Sequence, residues 1–376
     1  MPHKRLLVPL LLATALPLAL VTPAEAASTR VTTTELPALP GGTARVVALN
    51  DRGQVVGTNS GSTGSRAVLW DGAGPVDLGR GNATAINARG QVLGLESMSG
   101  GGTYQQHPRI WHEGTTTNLA PSGSGWVSAS AINANGEVPM TYSRSPYGYH
   151  QEAAAVWKGD RHEGLSVSGP HLTVQVINDR GLVAGTQLPM FGDDKNAFRC
   201  QDGTCTRLPG VPGTGPYAVV AANESGVVVG NRDNQPLRWQ ADTVTVLPGT
   251  GAVASSPQAV NECGDIVGWT QDAAGVRKAT VWRAGRQVVL NVPGPAEALA
   301  INDAGDIVGF SSATGQQRAF LWRNGRVTDL GTLGGAYSVP VAINNKGVVI
   351  GQSTASDGTT RAVKWTTRTT RPHANG

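Results

Sequence analysis

Charge is scarce in this chain. Only 15% of its 376 residues are Asp, Glu, Lys or Arg, and 30 basic against 26 acidic side chains leave a formal net charge of +4. The basic residues are scattered, which excludes the electropositive stripe of a nucleic-acid surface and the polybasic patch of a membrane-surface protein. Aromatic residues are also few, at 5%, so a core has to be built from small aliphatic side chains and a few well-placed rings. Beyond the N-terminus no apolar run reaches the roughly 18 residues that a membrane-crossing helix needs, and apolar residues at helical spacing are missing from the rest of the chain. Common catalytic motifs are missing too. There is no Gly-x-Ser-x-Gly elbow, no His-Glu-x-x-His, no Gly-Lys-Ser/Thr phosphate loop and no dinucleotide fingerprint with its acidic partner. No catalytic residue and no cofactor is expected.

What is present begins with an address. Lys4 and Arg5, the apolar run over 6–21 and the small-x-small triplet Ala24-Glu25-Ala26 have the layout of a secretory signal peptide. The expected organisation is a signal peptide over 1–26, a single domain over 27–366 and a flexible tail over 367–376. Export implies an oxidising compartment. Cys200 and Cys205 flank a four-residue turn and should face each other across a hairpin as a disulfide. Cys263 is left over, as a free thiol, an intermolecular bridge or an unpaired turn residue.

One motif then dominates. A hydrophobic residue is followed by Asn, two variable residues and Gly, with Asn at 50, 87, 133, 178, 223, 261, 302 and 344. A second Gly follows four residues after the first in every copy but one, where Met140 stands instead. The spacing defines a unit of about 42 residues, the period of a propeller, solenoid or array. Each unit holds four short hydrophobic beats separated by turn chemistry, as in Ala298-Leu-Ala-Ile, Asp306-Ile-Val-Gly, Arg318-Ala-Phe-Leu-Trp and Arg326-Val-Thr-Asp-Leu. Segments this short suit strands, and four per unit suit a propeller blade. A Trp closes the third beat at 70, 111, 157, 239, 282, 322 and 365, with Cys200 in that column in the fourth unit. A fixed place in the repeat predicts buried structural rings rather than sugar platforms.

The chain ends predict closure. The segment before Asn50 has the offsets of a fourth strand with no first three, and the eighth unit lacks a hydrophobic fourth beat. An N-terminal strand near residues 31–36 that completes the last blade would remove two exposed sheet edges. The expected fold is all-β, a closed propeller of eight four-stranded blades, with seven blades plus a cap as the alternative. The blocks Ala-Ile-Asn-x-x-Gly-x-Val-x-Gly and Arg318-Ala-Phe-Leu-Trp, followed by Asp-Leu-Gly-Thr-Leu-Gly-Gly, resemble the HAF-type extracellular repeats of secreted bacterial proteins. The resemblance spans about residues 30–366. It implies an extracellular, propeller-like repeat protein and brings no catalytic residues with it.

Candidate binding residues come from the connections between the second and third beats, which share a face with the links between blades. The longest lie over 96–107 and 141–152 and hold Tyr104, His107, Tyr142, Arg144, Tyr147, Tyr149 and His150, with Trp126 between the two units. Large rings on adjacent loops make a plausible recognition surface. The sequence therefore predicts a secreted, non-catalytic binding module for carbohydrate, for instance a cell-envelope glycan, or for an extracellular protein. The alternatives are an enzyme acting on polysaccharide or peptide, with Glu96, Glu152, Asp193, Asp194 or Asp272 as its carboxylates, and a purely structural envelope protein. No nucleic acid, no membrane span beyond the signal and no metal is expected. His112-Glu113 and His162-Glu163 are single pairs at turns, and Asp303 and Asp306 are too few for calcium.

Overall fold

The computed structural model describes residues 28–72, 74–100, 103–144, 152–169, 171–187, 196–213 and 215–370. These form 32 strands, grouped into eight antiparallel sheets of four strands each. The fold is an eight-bladed β-propeller. Residues 31–367 make one compact unit. Seven blades take their strands in chain order: blade 1 over 42–80, blade 2 over 82–118, blade 3 over 127–168, blade 4 over 173–207, blade 5 over 217–246, blade 6 over 254–289 and blade 7 over 296–329. Blade 8 takes its first three strands from 334–370 and its fourth from Ser28–Glu35, which pairs beside Thr360–Thr370. The ring therefore has eight blades and closes through its N-terminal strand, and seven blades with a cap is not what forms.

The repeated asparagine explains how the blades are held in register. Asn223 Oδ1 accepts the Val227 N–H at 2.9 Å, and its backbone carbonyl accepts the Gly226 N–H at 3.2 Å. The glycines of the eight turns sit at φ between +74° and +87°, where any side chain is disfavoured. The Asn amide then points out of its own blade. Nδ2 of Asn50 donates to the carbonyl of Asn87, Asn87 to Asn133, and so on through 178, 223, 261, 302 and 344, at 3.0–3.1 Å each. The last step runs from Asn344 Nδ2 back to Asn50 O at 3.0 Å. All eight side chains are buried. The circuit is complete.

The core is correspondingly divided. Eight hydrophobic clusters each join two neighbouring blades, such as Val227, Val229 and Leu247 of blade 5 with Ile266 and Trp282 of blade 6. The second repeated glycine makes this packing possible. A Cβ there would strike a first-strand carbonyl in all seven copies, and an aromatic ring of the third strand covers most of them. That ring is Trp in blades 1, 2, 5 and 8. Several indole N–H groups reach into the preceding link, as Trp239 does to Pro209 O at 2.9 Å and Trp282 to Pro248 O at 2.7 Å. In blade 3 the fully buried Met140 replaces the glycine.

Three expectations need correction. Trp322 is only half-buried, because Phe320, two residues earlier on the same face, covers Gly309 and takes the wedge position. In blade 4 the Cys200–Cys205 bridge forms as expected, but it does not replace the lost ring. Phe198 covers Gly185 and fills that place. The strand of blade 8 runs to Thr370, so the polar run after Trp365 continues the sheet beyond residue 366. The β-branched Thr at four of residues 366–370 suits a strand even without an apolar beat.

Replacing a fully buried ring should cost more than replacing Trp322. Trp239→Ala is expected to lower stability by about 3–5 kcal/mol, and Trp322→Ala by less than half of that, as read from urea melts.

Candidate functional site

Each blade's first strand is the innermost, since it leads into the asparagine circuit. Its residues alternate. The side chains six and four places before Asn are buried in most blades, as with Ala44 and Val46, Tyr217 and Val219, or Ala296 and Ala298. Those five and three places before it are exposed or half-buried on the innermost edge of the blade, and the latter falls at a β-bulge in seven blades. The axial wall is therefore Arg45 and Val47, Asn82 and Thr84, Ser128 and Ser130, Thr173 and Gln175, Ala218 and Val220, Ser256 and Gln258, Glu297 and Leu299, Val339 and Val341. Blades 2, 3 and 4 contribute only hydroxyls and amides. Blade 8 is wholly aliphatic there, and blades 7 and 1 flank it with Leu299 and Val47.

At the mouth beside the asparagine turns, the residue after each Asn forms a second ring. Asp179 accepts the Ala134 N–H, Glu224 that of Asp179, Glu262 that of Glu224, Asp303 that of Glu262, Asn345 that of Asp303 and Asp51 that of Asn345, at 2.6–3.2 Å. Alanine fills the place in blades 2 and 3, and there Arg52 and Arg89 reach the next blade's carbonyls instead. These acids are brackets between blades. Partial burial, and then the carboxylates of Glu224, Asp303 and Asp179, push Glu262 above the usual carboxyl range against the lowering effect of its hydrogen bond from Glu224 N–H. Asp306 is held by both guanidinium arms of Arg323, at 2.7 and 2.6 Å, and that bond raises the arginine further. Among the described residues no group of three or more His, Cys, Asp and Glu side chains is placed to hold a metal. Cys263 is exposed on this mouth with its thiol free.

The opposite mouth receives the connections between second and third strands. The stretch expected as a loop over 96–107 is mostly hairpin: strands Val92–Gly100 and Thr103–His112 pair Glu96 with His107 and Ser99 with Tyr104. Alternation on either side of consecutive glycines favours that hairpin over a loop. In blade 3, Trp126 is half-buried and its carbonyl accepts the Ser143 N–H at 3.0 Å. Tyr142 packs against the cluster joining blades 2 and 3, and Arg144 is exposed just past its strand. These three share one edge of blade 3. Tyr147, Tyr149 and His150 lie outside the described residues, as do Asp193 and Asp194.

The remaining carboxylates considered for catalysis have structural partners. Glu96 pairs with Arg109, Glu152 accepts the Leu172 N–H from a buried position, and Asp272 caps its own turn while 3.7 Å from Lys278. Sequence reasoning missed the axial wall. The signal was there, in the neutral polar residues at fixed offsets before Asn87, Asn133 and Asn178.

No family model and no curated protein matches the chain. Among solved structures, it is similar to the β-propeller domain of the trilobed protease from Pyrococcus furiosus, described as having an open velcro topology, with 9% identity, a TM-score of 0.52, and 78% of this chain and 96% of that one covered. It is also similar to Porphyromonas gingivalis dipeptidyl peptidase 4, with 11% identity and a TM-score of 0.56 over 86% of this chain and 57% of that one. At such identities the likeness is one of fold.

The acidic mouth makes a testable statement about pH. A carboxyl raised on folding binds its proton more tightly in the native state, so its contribution to stability falls as pH rises above about 4.5, the ordinary Glu value. Glu262→Gln, which keeps an oxygen for the Glu224 N–H, is expected to raise the melting temperature at pH 7 and leave it unchanged at pH 4, by calorimetry.

Proposed function

We propose that this protein is a secreted, non-catalytic binding module for extracellular glycan, with its recognition surface on the mouth opposite the asparagine circuit. What carries the reading is the concentration of long second-to-third connections on three consecutive blades. Blade 2 extends its hairpin over 92–112, and blades 3 and 4 leave residues 144–151 and 188–195 between strands, whereas blade 1 leaves only 62 and 63. Rigid strands that present variable loops are the usual division of labour between scaffold and binding surface. Trp126 and Arg144 stand at the base of these connections, with His107 on the blade 2 hairpin. The intramolecular Cys200–Cys205 bridge suits an oxidising compartment, in line with the signal-like first 26 residues and the resemblance to HAF-type repeats. A binding role fits better than catalysis, because Glu96, Glu152 and Asp272 are each engaged in holding the fold.

The test is a glycan and cell-wall-fragment array probed with the exported protein and with Trp126→Ala. Binding of at least one glycan, weakened about tenfold or more in the variant (~1.4 kcal/mol or more), is the expected result. Binding to none, with capture of a purified envelope protein instead, would overturn the glycan reading.

A further inference from the structure

The axial wall has two unlike sides. Six consecutive axis-facing side chains of blades 2, 3 and 4 are neutral hydrogen-bonding groups: Asn82, Thr84, Ser128, Ser130, Thr173 and Gln175. Blades 3 and 4 stand across the ring from blades 7 and 8, which present Leu299, Val339 and Val341. Val341 is 37% exposed, an unusual state for a large aliphatic side chain on the innermost strand of a propeller. The only charges at these offsets are Arg45 and Glu297, and Glu297 is paired with Arg277 at 2.7 Å, which in turn lies 4.1 Å over the Trp269 ring.

The fold does not require this division. Closure depends on the buried alternate positions and on the asparagine circuit, and among the axis-facing offsets Ser130, Ser256 and Glu297 also bond to a neighbouring blade. Hydroxyl and amide groups fill three successive blades, and blade 6 adds Ser256 and Gln258.

The polar side is also incompletely satisfied from within. Gln175 donates through Nε2 to Thr173 Oγ1 at 2.9 Å and Thr186 Oγ1 at 3.2 Å, and its backbone carbonyl accepts from Ser130 Oγ at 3.3 Å. These contacts fix the amide with its oxygen left over. Gln175 Oε1 is buried and has no hydrogen-bond partner among the described residues. A buried acceptor without a donor is costly.

We propose that the axial channel is the glycan site, a slot that takes a neutral oligosaccharide with its hydroxyl edges on blades 2–4 and its C–H faces on the aliphatic wall. This rests on the binding reading above and specifies where and what is bound. A sugar ring has this two-sided chemistry: donors and acceptors around its edge and apolar C–H groups on its faces. The near absence of free charge along the wall disfavours an anionic polymer, which would seek several cations. Trp126, seven places before Asn133 and next to the channel mouth on blade 3, is placed to take the first ring.

The experiment titrates the exported protein by calorimetry with cello-, chito-, xylo- and maltotetraose, with tetragalacturonate as the anionic comparator and tetraalanine as the peptide comparator. The best probe is then tested on Ser130→Ala, which removes the hydroxyl without adding bulk, and on Val341→Trp, which fills the slot from the opposite side without touching a hydrogen bond. Arg286→Ala, on the outermost strand of blade 6 and away from the channel, is the control. Tenfold or weaker binding by both channel variants, with the melting temperature and the control unchanged, is expected. If a neutral tetrasaccharide binds and both channel variants bind it as tightly as the parent, the channel is not the site, while the glycan reading stands. If tetragalacturonate or tetraalanine binds in preference, the ligand class is wrong. If none of the neutral sugars binds, the slot and the glycan reading fall together.

Discussion

The structure depends on one side-chain amide used eight times. An asparagine that accepts N–H groups of its own turn through Oδ1, and donates to the next blade through Nδ2, joins local and long-range structure in one residue. Neither Asp nor Ser could do this. Asp lacks the donor, and Ser is too short to serve the turn and the neighbouring blade together. Because each carbonyl in the circuit also closes its own Asn-to-Gly turn, the register of a blade and its position relative to its neighbour are fixed by the same atoms. Buried hydrogen bonds that polarise one another in a closed series are strong when complete and costly when broken. The second tier, made of Asp51, Asp179, Glu224, Glu262, Asp303, Asn345, Arg52 and Arg89, repeats the linkage with backbone N–H and C=O groups at the same mouth.

This arrangement relieves the hydrophobic core of a task it is poorly equipped to perform. With few aromatic residues and cores built largely of Val and Ala, each interface between blades is small. In six of the eight blades a third-strand ring seated over a glycine fills most of the remaining space. The polar circuit supplies direction, which non-directional apolar packing does not. A ring held at its centre in this way leaves two surfaces unconstrained, the axis-facing offsets and the connections of the opposite mouth. The asparagine mouth, by contrast, is largely occupied by bonds between blades.

Much of the fold was legible in the sequence because its determinants are local. The Asn-x-x-Gly turn, the four beats and the missing fourth strand of the last unit are patterns within a few residues, and the structure follows them to the closure by Ser28–Glu35. Reading failed where two residues compete for one place. Phe320 and Trp322 both suit the wedge, and only packing against Gly309 decides that the phenylalanine takes it. It failed again where repeated columns drew attention from variable ones. The eight asparagines are conspicuous because they are identical, whereas Thr84, Ser130 and Gln175 become a surface only once the ring brings their blades side by side. The role of the acids after the asparagines as acceptors of a neighbouring blade's N–H was invisible without the closed ring.

The central claim is that the asparagine circuit acts as one cooperative unit rather than as eight separate turns. Amide hydrogen exchange on Asn223→Ala, compared with the parent, tests it most directly. The variant removes the donor between blades 5 and 6 together with the acceptor of its own turn. The account predicts lost protection at the glycine N–H of every turn around the ring, including Gly53 and Gly347 at the seam where Asn344 meets Asn50. Loss confined to the turns of blades 5 and 6, with the seam fully protected, would contradict it.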